Sequence, residues 1–407
     1  MTSTATVQTS LDRVVTLPAL ILYGLGVTIG AGNFALIGEI LGLAGDNTPL
    51  SFLVAGILAG VTGVSYMILV GAFPRAGGEA VYVTRGLGPT AGLIAGLAVV
   101  ITGIVTGAVV ALAFAGYVGS LVEVPERVTA IALVVALSVV AWWGVRESVI
   151  FAAIITLFEV GILVVVIAFG LDLLSTPNLA RDAFVPSLDT AVLSPILAGS
   201  VIAFFAFVGF ENIANLAEET VSPKRTAPIA IATVLIVSVL IYVLLSLVAV
   251  AAPDRSAIAE SSAPMATLFE QVSGRDSGPV ALIAAIAMLN GILIQIVMAS
   301  RVLYGMAREN LVHPSLANVD VTRQTPGRAN TLVTIAIIAL ILFFPLIQLA
   351  KITSLVTLAV FSLVNAALYV LGRRHDVAAV GISRFVGLVG AVLCGGLGAW
   401  QISNTWI

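Results

Sequence analysis

The chain has 407 residues, 60% hydrophobic and only 10% charged, with 18 Lys and Arg against 21 Asp and Glu. That composition lies outside the range of soluble globular proteins and gives no reason to expect a nucleic-acid partner. The single cysteine, Cys394, excludes an intrachain disulfide and a cysteine-based metal cluster, so neither metal nor cofactor is expected.

A bilayer-spanning helix needs about 20 apolar residues. Stretches free of Asp, Glu, Lys and Arg cover 14–38, 47–74, 86–122, 128–145, 190–210, 226–253, 277–300, 329–350, 352–372 and 385–407, and 148–171 is interrupted only by Glu159. The expectation is an all-α integral membrane protein of about eleven transmembrane helices. The longest loops, 172–189, 253–278 and 301–329, are too short to bury cores of their own, which argues for one bundle. Residues 1–13 read as a cytoplasmic tail, because the hydrophobic run behind them is too long for a signal-peptide core.

With the N-terminus inside, 13 of the 18 Lys and Arg fall on the cytoplasmic side. Only Arg127, Arg181, Arg255, Arg275 and Lys351 fall outside, which is the bias expected of cytoplasmic loops. Eleven spans then leave the C-terminus extracytoplasmic, in a cell (inner) membrane. Trp142 and Trp143 at the inner end of the fourth span, and Trp400 and Trp406 near the outer end of the last, suit interfacial anchors.

The first span carries four glycines and an asparagine at mid-depth, in Tyr23-Gly24-Leu25-Gly26-Val27-Thr28-Ile29-Gly30-Ala31-Gly32-Asn33. A continuous helix would favour Ala or Leu there, so unwinding is expected near Ile29 to Gly32. The sixth span repeats the pattern in Phe204-Phe205-Ala206-Phe207-Val208-Gly209-Phe210-Glu211-Asn212. Glycines in membrane helices also serve close helix packing. Breaks at matched positions of two five-helix halves, however, are the sequence pointer to a midplane site in inverted-repeat transporters. The halves would be 14–171 and 190–372, with 380–407 as an additional helix. A broken helix frees N–H groups that attract a carboxylate and carbonyls that accept from an ammonium, which together suit an amino-acid zwitterion.

Four segments, IGAGNF (29–34), FPRAGGEAVYVTRGLGP (73–89), FFAFVGFENIANLAEETVSPKRTAP (204–228) and ASRVLYGMAREN (299–310), resemble the amino acid-polyamine-organocation transporters over nearly the whole chain. The resemblance is closest to their cationic-amino-acid-transporter-like bacterial branch. It implies a five-plus-five inverted-repeat fold with helices 1 and 6 broken. It also implies that the backbone of Ile29, Gly30, Ala31 and Gly32 holds a substrate carboxylate, that carbonyls of Thr28, Phe205 and Val208 receive the amino group beside Gly209, and that Phe205 is an aromatic gate. Three features depart from the family pattern: Asn33 replaces a branched apolar residue, Ser222 replaces an asparagine, and the twelfth helix is absent. Asn33 could contact the carboxylate or pack between helices, and the oligomeric state stays open.

Glu39, Glu159 and Glu211 fall inside predicted spans with no Lys or Arg in the uncharged cores. Burying an unpaired carboxylate costs several kcal/mol, so each either takes a proton or meets a cation. Glu159 occupies the fifth-span position where sodium-independent relatives carry a lysine, and is expected to bind a proton, or else sodium, with Ser300 as a neighbouring ligand. A silent, protonated glutamate is the rival reading. Glu211 could relay protons or orient the unwound segment, or be merely solvated. Glu39 suits an exposed vestibule. Thr102, Thr106, Asn290, Gln295, Ser362 and Asn365 offer polar groups, most of them expected to bond between helices. The loops 74–88 and 218–228 could form an inner gate network, or simply carry surface ion pairs.

An enzyme lacks its residues, since no HExxH or Gly-x-Ser-x-Gly occurs, and a primary pump lacks its GxxxxGK[ST] loop. A channel or an amino acid sensor shares many of these features, but matched breaks favour alternating access. The expected function is secondary active amino acid transport as proton symport, with sodium symport or amino acid/polyamine antiport as alternatives. The substrate class within the amino acids stays open.

Overall fold

The computed structural model describes residues 13–74, 77–143, 149–175, 177–308, 311–320, 323, 325–377 and 380–405. The expected cytoplasmic tail apart from Arg13, together with Arg75, Arg146, Asn310, Trp406 and the Ala31 side chain, lies outside the described residues. Among the described residues, sixteen α-helices follow one another. They are α1 Leu17–Ala44, α2 Thr48–Ala72, α3 Gly78–Leu87, α4 Pro89–Gly119, α5 Glu126–Trp143, α6 Val149–Phe169, α7 Leu179–Phe184 and α8 Thr190–Phe205. After these come α9 Asn212–Asn215, α10 Pro223–Ala251, α11 Arg255–Glu260, α12 Pro264–Ser273, α13 Gly278–Arg308, α14 Gly327–Phe343, α15 Leu346–Arg373 and α16 Val380–Thr405.

Hydrocarbon supplies no hydrogen bonds, so a chain this apolar satisfies its backbone within helices. Among the described residues, seven helical stretches are long and apolar enough to cross a membrane: Leu17–Ala72, which holds both α1 and α2, Pro89–Gly119, Glu126–Trp143, Pro223–Ala251, Gly278–Arg308, Leu346–Arg373 and Arg384–Asn404. The helices Ala153–Phe169, Thr190–Phe205 and Gly327–Phe343 are apolar but shorter. Proline opens α2, α4, α10 and α12, where its missing N–H costs nothing.

Helix α1 is central, packing against α2, α4, α6, α8, α10 and α13. The remaining packing is reciprocal: α1 lies on α10 as α8 lies on α2, and α1 on α6 as α8 on α15. Likewise α4 lies on α5 as α13 on α14, and α13 on α5 as α4 on α14. Small residues allow these approaches. A methyl group on Gly103 would touch Ala299 Cβ at 3.3 Å, and one on Gly107 would touch Ile337 Cδ1 at 3.0 Å.

The amphipathic α3 lies across one end of the bundle. A side chain at Gly86 would strike the backbone of Ala367 in α15, at 2.6 Å, so only glycine lets the two helices meet there. At the same end, the Val14 and Val15 N–H groups donate to the Glu219 carbonyl at 2.9 and 3.0 Å, and Val221 N–H donates to the Val15 carbonyl at 2.9 Å. The entry to α1 is thereby tied to the loop behind α9. The last helix, α16, packs on α15 and α2.

Candidate functional site

The structure interrupts both helices in which the sequence places its glycines. In α1 only Gly30 leaves helical geometry (φ −21°, ψ −114°), a narrower break than the expected Ile29 to Gly32. The second break is longer. Helix α8 ends at Phe205, the chain tightens through bonds from Ala206, Phe207 and Val208 N–H to the carbonyls of Ala203, Phe204 and Phe205, and helix resumes at Asn212.

The two breaks touch backbone to backbone. A Cβ on Gly32 would lie 2.5 Å from Ala206 Cα. A Cβ on Gly209 would lie 2.7 Å from the Val27 carbonyl oxygen and 2.9 Å from Thr28 Cα. Gly209 also holds φ +139°, a conformation that side chains resist. Tyr242, wholly buried on α10, joins the two: its hydroxyl lies 3.0 Å from the Thr28 carbonyl and 2.9 Å from the Ala206 carbonyl, so one phenolic proton is shared between both broken helices.

That bond engages Thr28 O, and Phe205 O accepts from Val208 N–H at 3.1 Å, so two of the carbonyls expected to receive an ammonium already have donors. Polar side chains here are nevertheless unsatisfied. Thr28 Oγ1 and both amide atoms of Asn33 are buried without a hydrogen-bond partner, and such orphans cost about 1–3 kcal/mol each unless something else meets them. Phe205 is buried at the end of α8, while the ring pairs beside it run through its neighbours: Phe204 on Phe361 at 5.7 Å, Phe207 on Tyr242 at 5.1 Å, and Phe210 on Tyr66 at 5.5 Å.

Glu159 is 1% exposed on α6, and its Oε2 has no hydrogen-bond partner. One helical turn earlier, Thr156 fills the notch left by Gly26 of α1. Glu159 follows about one turn along α6 from that crossing, as Ile29 and Gly30 do along α1. Ser300 is buried on α13, which packs on α6, but its hydroxyl donates to its own helix at Val297 O, 2.9 Å away.

Glu211 accepts from Gly209 N–H at 2.8 Å, and so caps the unwound loop directly. It also lines a cavity of about 20 Å³, room for a single water, together with Glu79, Thr102, Asn212, Gln295 and Thr357. Asn212 Oδ1, Thr102 Oγ1 and Thr357 Oγ1 there are buried and unpartnered.

Glu79 was not singled out from the sequence. It sits on α3, 3% exposed, accepts from the Tyr66 hydroxyl at 3.1 Å, and is pushed up to about 7 by burial, against the pull of its hydrogen bonds. Its loop read as part of an inner gate network or as a carrier of surface ion pairs; the packing of α3 on α4 and α15 turns that acid inward. Tyr242 was missed as well, although a phenol in the middle of the span 226–253 signals a buried partner. Of the remaining polar candidates, Asn365 bonds Ser65 and Thr62, and Ser362 bonds the Ala391 carbonyl, as glue between helices.

The described residues form a helical bundle with several helices long and apolar enough to cross a membrane, and its two interrupted helices meet at a buried polar site. The family model described as "Amino acid permease" matches residues 15–400, and the chain belongs to that family. It is 29% identical, over 89% of its length, to an Arabidopsis thaliana protein named cationic amino acid transporter 2, vacuolar, of which the match covers 60%. It is 27% identical to the branched-chain amino acid permease BcaP of Lactococcus lactis, over 89% of this chain and 83% of that one. An uncharacterized transporter of Mycobacterium bovis is 29% identical, over 92% and 83%. The chain spans about three-fifths of the length of the plant relatives it matches. These relatives are named transporters or permeases, not enzymes.

Proposed function

We propose that this protein is a secondary active amino acid transporter working as a proton symporter by alternating access. The observation that carries the reading is the direct contact of the two helix breaks, Gly32 on Ala206 and Gly209 on Val27, together with a buried carboxyl on α6, Glu159, whose Oε2 has no hydrogen-bond partner. In this reading Thr28, Ile29, Gly30, Ala31, Gly32 and Asn33 form one side of the substrate site, and Phe205, Val208 and Gly209 the other. The backbone of the first group takes the substrate carboxylate, and the second break takes its ammonium. For the ammonium to bind, Tyr242 gives up the Thr28 carbonyl, so binding and rearrangement of the two breaks become one event. Glu159 binds the coupled proton, Ser300 lies on the neighbouring helix, and Glu211 holds the unwound loop.

The reciprocal packing of α1, α2, α4, α5 and α6 with α8, α10, α13, α14 and α15 supports two inverted five-helix repeats, 14–171 and 190–372, with α16 as an eleventh span. The charge bias supports an inner-membrane orientation with the N-terminus cytoplasmic and the C-terminus outside. In that orientation the ties from Val14 and Val15 to Glu219 close the cytoplasmic side, and inward opening has to break them. Relatives named for cationic and for branched-chain amino acids support an amino acid substrate.

The test is uptake of labelled amino acids into proteoliposomes under an inward proton gradient, an inward sodium gradient, or none. Accumulation that requires the proton gradient supports the proposal. Sodium-driven accumulation replaces the coupling ion, and exchange without any gradient dependence replaces symport. No uptake of any amino acid overturns the reading.

A further inference from the structure

Two acids, Glu79 on α3 and Glu211 in the second break, line one cavity of about 20 Å³, room for a single water. Glu79 accepts from the Tyr66 hydroxyl at 3.1 Å, and Glu211 accepts from the Gly209 N–H at 2.8 Å. Asn212, 2% exposed, and Thr357, 3% exposed, line the same cavity, and Asn212 Oδ1 and Thr357 Oγ1 have no hydrogen-bond partner. Two carboxyls and an unpartnered amide oxygen thus meet around the space of one water, a set of acceptors short of donors.

No Lys, Arg or His is among the described residues that line the cavity. The cations on the elements packed here turn elsewhere. Arg85 of α3 lies over the Phe73 ring at 4.6 Å, Arg373 of α15 over the Tyr369 ring at 5.9 Å, and Arg308 of α13 over the Tyr304 ring at 5.9 Å. Arg301 of α13 is exposed, Lys351 stands more than one turn before Thr357 on α15, α4 carries no charged residue, and Glu218 and Glu219 follow α9. Two phenols belong to the cluster: Tyr66, the donor to Glu79, and Tyr82 on α3, whose buried hydroxyl has no partner. Phenols stay protonated at neutral pH. Like charges confined to one buried site without a cation cannot both persist, so one carboxyl keeps its proton.

We propose that Glu79 and Glu211 hold one proton between them across a single water, a proton site separate from Glu159. The shared proton links two parts of the fold. Glu211 grips the wedged loop through Gly209, and Glu79 sits on the helix that meets α15 at Gly86. Once the proton leaves, two negative charges line one water-sized space and push α3 away from the second break. That end of the bundle also carries the ties from Val14 and Val15 to Glu219, so proton loss favours opening there. This consequence for transport rests on the alternating-access reading above; the shared proton does not.

The experiment is an infrared pH titration of the protonated-carboxyl C=O stretch in the purified full chain, in sodium-free buffer. Glu159→Gln serves as the common background, so that its buried carboxyl contributes no band. The expected result is a band that fades through about pH 7. In Glu211→Gln and in Glu79→Gln the remaining acid should titrate at least about one pH unit lower, because each variant removes a like charge from its partner. Either variant alone suffices should the other fail to fold. A band absent from the background chain, or a midpoint unchanged in a monodisperse variant, overturns the proposal and leaves two acids that do not share a proton. A midpoint that added sodium chloride moves downward in the background chain also overturns it, leaving a site for a metal cation. None of these outcomes depends on amino acid uptake, so this proposal and the transport reading fail separately.

Discussion

The two helix breaks differ in how they are built. The first is a single residue, Gly30, and a Cβ placed on it meets nothing within 4 Å. The second runs from Ala206 to Glu211, turns at a glycine with φ +139°, presses that glycine into the Val27–Thr28 backbone, and is held by Glu211. Gly30 itself thus borders open space, whereas Gly209 is wedged against α1. A site that must bind and release its substrate needs both: a fixed surface to define the geometry, and a neighbour free to move against it.

The sharpest way to break this comparison is a methyl group at each glycine. Gly209→Ala adds a carbon 2.7 Å from a carbonyl oxygen, at a backbone conformation alanine disfavours. It should cost about 3 kcal/mol and abolish uptake, read from thermal unfolding and from proteoliposome transport. Gly30→Ala, with room for its methyl, should cost less than about 1 kcal/mol by the same assays. Equal losses at the two positions would remove the distinction.

Tyr242→Phe tests the link between the breaks. Losing a buried hydroxyl that serves two carbonyls should lower stability by about 1–2 kcal/mol. If the bond latches the empty state, the variant should also bind substrate no more weakly, by scintillation proximity, than the parent.

Glu79 gives an effect that depends on pH. The folded protein keeps its proton up to about pH 7, whereas an exposed glutamate loses it near 4.5. The folded state therefore binds the extra proton between those values, and stability falls as pH rises through that window, levelling above it. Glu79→Gln, which still accepts from Tyr66, should flatten that decline by about 2–4 °C in Tm across the window, measured by a thermal-shift series.

Much of this was legible in the sequence, because membrane burial forces the pattern. Uncharged runs mark helices, and glycines at 30 and 209 mark where helices fail. Motif similarity led to the family, which the match over residues 15–400 established. The pairing of one break with the other was not legible, since Gly32 meets Ala206 only through tertiary packing. Nor was the role of Glu79, whose loop reads as solvated until α3 folds under the bundle, or of Tyr242, whose partners are backbone atoms 214 and 36 residues away. Side-chain patterns reveal which segments are unusual, whereas contacts made by backbone groups leave little trace in residue identity.

The most direct test of the central claim, that the paired breaks carry substrate while Glu159 carries the proton, is to compare Glu159→Gln with the parent in two transport modes. The variant should still exchange labelled for unlabelled amino acid across the liposome membrane, and should no longer accumulate it under an inward proton gradient. Accumulation by the variant at the parent's level would contradict the account.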